Sequence, residues 1–226
     1  AVWAVNIAAL VFTGTRGALL GLLAGGAVGL FLLVFSQEER PFFSLSAGRV
    51  RVGARALLGI FLALLIAFFF FQESLRNSGS TLVRRLASAS LTERTVKTRV
   101  ISWQMAWEGI KERPFLGWGP ENFILLSNKH YDPRLYDQEA WFDRAHNLIF
   151  DLTAATGVVG LALLLYLMWL LSVDVLRVNS ERSWYEKAAM LAAGAAYLVN
   201  DMFVFDNAAT LIPLSLAVAY LSKNAD

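Results

Sequence analysis

From position 147 to position 173 the chain carries one charged residue, Asp151. A helix rises about 1.5 Å per residue and a bilayer core is about 30 Å thick, so roughly 20 apolar residues cross it. A charge-free run of this length is expected to lie in a membrane. Residues 17–35 hold no charge, and residues 54–71 begin with Arg55 nearby and end in Phe68-Phe69-Phe70-Phe71. Residues 188–205 and 208–221 form a closing pair around Asp206-Asn207, while residues 1–13 are apolar but too short for a full span. Hydrophobic residues make up 57% of the chain and charged residues 17%; soluble domains average about 45–50% and about 25%. An ordinary soluble enzyme, a disordered chain and a basic nucleic-acid binder are thereby excluded, and a net charge of +2 calls for no nucleic-acid partner. The chain lacks cysteine and has two histidines, His130 and His146, which leaves no thiolate site and little material for a metal. The fold class expected is an all-α integral membrane protein, a bundle of five full spans and one partial span in a lipid bilayer.

Residues 1–71 and 146–226 then hold the spans and residues 72–145 form one large loop. Arg40, Arg49, Arg51 and Arg55 lie in one short connection, Arg177, Arg182 and Lys187 in another, and Lys223 follows the last span. Arg16 is the only basic residue in the opposite short connections. The positive-inside rule makes the first side cytoplasmic and puts Arg16 and the large loop outside. The start within a hydrophobic run, without Met or a basic leader, is expected of the C-terminal part of a larger protein whose N-terminal transmembrane helices are missing here.

The large loop holds four of the seven tryptophans. Val96, Val100, Trp103, Trp107 and Ile110 recur at helical spacing, which predicts an amphipathic helix in the headgroup region, roofing a site at the membrane surface. Thr92 or Thr95 is expected to cap it, Pro114 to end it, and Gly117 and Gly119 to form the following turn. Residues 127–139 are polar and irregular and read as a mobile lid.

His146-Asn147 is followed by nine residues and then Gly157-Val158-Val159-Gly160. On a continuous helix, at about 100° per residue, His146, Gly157 and Gly160 share one face, with small residues that admit a neighbouring helix. Periodicity alone equally allows His146-Asn147 to be a cap and the glycines to be packing residues. This pattern resembles the signature of the bacterial O-antigen ligases, within the wider O-antigen ligase/polymerase membrane superfamily. Thr15-Arg16-Gly17-Ala18-Leu19-Leu20 resembles the family's opening of a span. Arg99 through Trp103, Ala106, residues 114–119 and Asn122-Phe123 resemble its large periplasmic loop.

The resemblance implies a GT-C-like, metal-independent, inverting glycosyltransferase that needs no cofactor. It would move a glycan from undecaprenyl diphosphate to a hydroxyl acceptor, lipid A–core for the ligases, at the periplasmic face of the bacterial inner membrane. It further implies one histidine and two arginines as functional residues, which fall on His146, Arg16 and Arg99. Those types suit the reaction: guanidinium forks bind phosphate oxygens at any pH, fixed positive charge stabilises a departing diphosphate, and a neutral imidazole accepts a hydroxyl proton. Arg144 is the alternative phosphate ligand to Arg99, or a structural partner of Asp143. Asn147 either orients His146 or caps the helix. Arg16 also reads as a snorkelling anchor, Arg99 as a solvated helix residue and His130 as a surface residue. The rivals are an O-antigen polymerase or a protein-glycosylating oligosaccharyltransferase, which share the carrier, and a transporter, which would show charge or broken helices at mid-membrane.

Overall fold

The computed structural model describes residues 16–77, 94–137, 141–177, 182–204 and 208–223. Its elements are α1 (Arg16–Val34), α2 (Ala47–Arg76), α3 (Arg94–Glu112), α4 (Phe123–Lys129), a 3-10 turn (Pro133–Leu135), α5 (Leu148–Leu176), α6 (Trp184–Asp201) and α7 (Ala208–Lys223). The protein is an α-helical membrane protein, as the apolar runs require. Among the described residues, three helices are long and apolar enough to cross a bilayer: Gly17–Val34, Ala47–Leu75 and Leu148–Leu176. The other two expected spans are helical over 18 and 16 residues, α6 and α7. The partial span at residues 1–13 lies outside the described residues, as does Thr92, and Thr95 lies within α3.

Two compact units divide the chain. One contains α1, α2 and α6 up to Asn200; the other contains α3, α4, α5 as far as Leu171, and α7. In the first, α2 is longer than its hydropathy indicates, reaching back to Ala47 and on to Arg76. Arg49, Arg51 and Arg55 are therefore helical, and the connection shortens to residues 35–46. A helix of 30 residues is about 45 Å long, so its ends project beyond a hydrocarbon core. Phe69, Phe70 and Phe71 are all exposed, as lipid-facing side chains of a membrane helix are.

A close backbone approach in this unit runs between α1 and α6. A Cβ on Gly21 would lie 2.6 Å from the Ala196 carbonyl oxygen, one on Gly25 would lie 2.6 Å from that of Ala192, and one on Gly29 would lie 3.2 Å from Ala192 Cβ. The three glycines are four residues apart, so they line one side of α1 and let the antiparallel α6 backbone approach. At the end of this pair, the connection before α2 is tied to the start of α6. The Trp184 N–H donates to Glu38 Oε2 at 2.9 Å, its indole donates to Leu32 O at 2.9 Å, and the Tyr185 hydroxyl donates to Arg40 O at 2.9 Å. In the turn between α5 and α6, the nearly buried Arg182 pairs with Asp174 at 3.2 Å and Lys187 donates to Arg177 O at 2.7 Å.

The second unit has a core of its own. Ile101, Met105, Ala106 and Ile110 of α3, Phe123 and Leu126 of α4, Leu135, Phe142, Ala145 and Ala154 pack together, flanked by Trp103, Trp118, Tyr131 and Phe150. The face of α3 that is buried differs from the expected stripe. Val100 and Trp107 are exposed, at 39% and 54%, whereas Thr98, Ser102 and Ala106 are buried. The inward side mixes Ile101, Met105 and Ile110 with small residues, and where α4 comes closest only glycine fits: a Cβ on Gly109 would collide with Leu126 Cδ1 and Cγ.

The stretch expected to be a mobile lid is anchored over its described part. Ser127 and Leu135 are almost fully buried, and His130 and Lys129 both reach Glu112, at 3.0 and 2.5 Å. Residues 138–140 lie outside the described residues. Lys129 and His130 hold the Glu112 carboxyl below the usual glutamate range.

Two expectations follow. Gly25→Ala should lower the melting temperature in detergent by an amount corresponding to about 1–3 kcal/mol of overpacking. Gly26→Ala, whose Cβ meets nothing within 4 Å, should not. The backbone N–H groups of Trp184 and Arg40 hold the Glu38 carboxyl below the usual glutamate range. Its folded-state pKa is depressed, so its stabilisation is complete above the unfolded value, about 4.3, and fades as pH falls through the folded one. The difference in melting temperature between wild type and Glu38→Gln should be present at pH 7 and close below about pH 4.

Candidate active site

Gly157 interrupts α5. Its φ of 69° and ψ of −172° are not helical, and φ in this range is open to glycine and strained for other residues. The interruption is filled by the turn that follows α3. The Trp118 N–H donates to Ala154 O at 2.8 Å, the Gly119 N–H donates to Ala155 O at 2.9 Å, and the Val158 N–H donates to Pro114 O at 2.7 Å. In an unbroken helix Ala154 O would receive the Val158 N–H, so helix and turn exchange partners and the buried backbone groups stay paired.

Two glycines make this approach possible. A Cβ on Gly157 would strike the Phe115 carbonyl, and one on Gly117 would sit 2.6 Å from the carbonyls of Ala154 and Ala155. This corrects the expected shared helix face. His146 precedes α5, the helix does not continue through Gly157, and a Cβ on Gly160 would meet Thr156 Oγ1 instead of a neighbouring helix. A broken helix is also what a transporter would show, but here the two freed carbonyls are occupied by the turn.

The segment bearing His146 is fastened at several points. The Ser127 hydroxyl donates to Phe142 O at 2.8 Å, and the Trp103 indole donates to Ala145 O at 3.0 Å. Trp103 also stacks on Phe150 at 5.8 Å. Asn147 is the N-cap of α5: its Oδ1 accepts the N–H groups of Ile149 and Phe150 at 3.0 and 3.2 Å, while its Nδ2 donates to Met202 O at 3.1 Å. Of its two possible roles, the cap is the one its contacts fill. Asp151, in the first turn, accepts the N–H of Ala145 at 2.5 Å and that of Asn147 at 3.3 Å.

Between those two amides His146 has φ 57°, a left-handed conformation uncommon outside glycine. Its ring is half-buried, set edge-on to Phe142, with Nδ1 3.3 Å from Arg144 O. Arg144 pairs with Glu121 at 2.7 Å instead of Asp143. Arg144 and Glu121 border a small open pocket, lined also by Gly119, Phe123, Asp143, Asp151 and Ala155; His146 is not among its lining residues.

Of the site residues expected from sequence, His146, Arg144 and Asn147 thus share one loop, and Gly157 governs the turn that borders the pocket. Arg99 is half-buried in α3, one helical turn before Trp103 and on the same side of the helix. Arg16 opens α1, in the other unit. Among the described residues, no three His, Asp or Glu side chains are grouped to hold a metal ion. Sequence reasoning gave Asp151 no role at the site. An acid one turn after an N-cap asparagine was the available signal, since side chains there reach back to the cap's N–H. Gly117 was expected in the turn and Trp103 on the helix stripe, but their partners, Ala154, Ala155 and Ala145, are distant in sequence and nothing local marks them.

Gly157→Ala should destabilise the protein by more than about 2 kcal/mol, through positive φ and the clash with Phe115. Gly160→Ala, opposed by a rotatable threonine hydroxyl, should cost less, and Asn147→Ala about 1 kcal/mol for the lost cap. Thermal denaturation of the purified protein in one detergent ranks the three.

A search of curated proteins and a search of solved structures give no match. The sequence profile described as O-antigen ligase matches residues 1–165. That match takes in α1, the turn after α3, the His146 loop and both glycines of α5. The chain belongs to the O-antigen ligase family.

Proposed function

We propose that this chain is the catalytic part of a metal-independent, inverting glycosyltransferase that moves a glycan from undecaprenyl diphosphate to lipid A–core at the periplasmic face of the bacterial inner membrane. The reading rests on family membership, which supports a ligase- or polymerase-type membrane glycosyltransferase. The observation that carries it to a mechanism is the His146 loop, where a half-buried imidazole sits on a backbone tied down on both sides.

In this mechanism the acceptor oxygen attacks the anomeric carbon from the face opposite the carrier. The bond from that carbon to the diphosphate oxygen breaks and its electron pair leaves with the diphosphate. His146 takes the hydroxyl proton. With Nδ1 facing the Arg144 carbonyl, this reading assigns the proton to Nε2. Arg16 and Arg99 neutralise the departing diphosphate, and Arg144, already held against one carboxylate, is the alternative phosphate ligand to Arg99. Fixed guanidinium charge is effective here because it is in place before the negative charge develops.

Transfer from undecaprenyl-diphosphate-linked O-antigen to lipid A–core, followed with EDTA present, tests this. Wild type should transfer, and His146→Ala and Arg16→Ala should each lose at least about a hundredfold in turnover at unchanged folding. Transfer to a second glycan or to a protein, with none to lipid A–core, would assign the chain to the polymerase or protein-glycosylating branch.

A further inference from the structure

We infer that Asp151 is the positioning residue for His146, an inference that rests on the reading of His146 as the base. A left-handed residue other than glycine persists where its surroundings over-determine it. Here one determining group is a carboxylate. Oδ1 receives the N–H of the residue before His146 and Oδ2 receives the N–H of the residue after it. The second bond fixes the peptide plane that follows the His146 Cα and the first fixes the plane that precedes Ala145; the plane between Ala145 and His146 is held through the Ala145 carbonyl by the Trp103 indole, so carboxylate and indole together set the direction of the His146 Cα–Cβ bond.

The geometry does not depend on the loop alone. Asp151 sits in the first turn of α5, where its own N–H donates to Asn147 O at 2.9 Å, so the carboxylate is presented by a capped helix. From the other side the Trp103 indole holds the Ala145 carbonyl at 3.0 Å. The neighbouring Asp143 is exposed. Asp151 also borders the pocket beside Arg144. Its two oxygens are taken by backbone donors, which makes it a support for the imidazole and not a second base.

The test uses the whole protein with undecaprenyl-diphosphate-linked O-antigen and lipid A–core, together with hydrogen exchange over residues 141–150. Asp151→Ala should lower turnover by about a hundredfold, the cost of a misplaced catalytic group, with KM for the lipid-linked donor within about twofold. Asp151→Asn keeps one acceptor and turns an N–H donor toward the other amide, so it should fall between, at about tenfold. Asp151→Glu should recover part of the loss. Amides of residues 145 and 147 should exchange faster in Asp151→Ala, with protection elsewhere unchanged.

Wild-type turnover in folded Asp151→Ala or Asp151→Asn would overturn the inference, as would a rise in KM with turnover intact. Unchanged protection of the two amides would overturn it even if no transfer is observed. Should Asp151→Ala not fold, the isosteric Asp151→Asn decides. Wild-type turnover in His146→Ala would instead remove the reading of His146 on which the inference rests.

Discussion

The exchange of hydrogen bonds at Gly157 is the constraint on which the site depends. Interrupting a helix among apolar residues strands carbonyls that no water reaches, at a cost of several kcal/mol each without replacement donors. The turn after α3 supplies those donors, and α5 returns one of its own to Pro114. Neither partner is complete alone. The turn needs Gly117 and Gly119 at positive φ, and the helix needs Gly157. Because that turn continues from α3, and α3 carries Trp103 to the Ala145 carbonyl, the same contact places the His146 loop.

Around that loop, polarity is used for geometry. Ser127, Trp103, Asn147 and Asp151 each spend a side-chain hydrogen bond on backbone groups of residues 142–150. Such bonds add modestly to stability, about 1 kcal/mol apiece, but unmade buried partners cost more. An arrangement of this kind fixes one conformation of a short segment and tolerates little substitution. The same segment has its own apolar core, in which Met105, Leu126 and Leu135 give these hydrogen bonds rigid supports.

Much of this was legible in the sequence, for identifiable reasons. Apolar length revealed the membrane helices, because a bilayer demands a fixed number of residues. Pro114 marked the end of α3 through local chemistry, and the His-Asn pattern carried the family. The limits were equally physical. The ends of α2 were misread because Arg49 and Arg51 resemble loop charges, although a helix projecting from a membrane carries such residues at no cost. The inner face of α3 was read in part: Trp103 and Ile110 of the expected stripe do meet the core, but Val100 and Trp107 do not, and close packing against α4 brings in small residues such as Ala106 and Gly109, which an apolar stripe does not include. The interruption of α5 was hidden because its partner lies some forty positions earlier and every residue between Thr156 and Asp174 suits a helix. The Gly21-Gly25-Gly29 spacing is legible in the sequence as a packing face, the role that Gly157 and Gly160 do not fill.

A glycine in mid-helix is ordinarily a hinge. Here the turn bonds to carbonyls before the interruption and to an amide after it, so it splints both arms of the bend. The segment from Val158 to Leu176 is long enough, at about 28 Å, to match a bilayer core without the preceding turns. When membrane thickness forces that segment to tilt, a splinted elbow cannot absorb the change by flexing. The tilt must be carried into the turn and α3 as a rigid rotation, leaving the angles around His146 as they were. Bilayer strain is thereby kept out of the site by stiffness at Gly157.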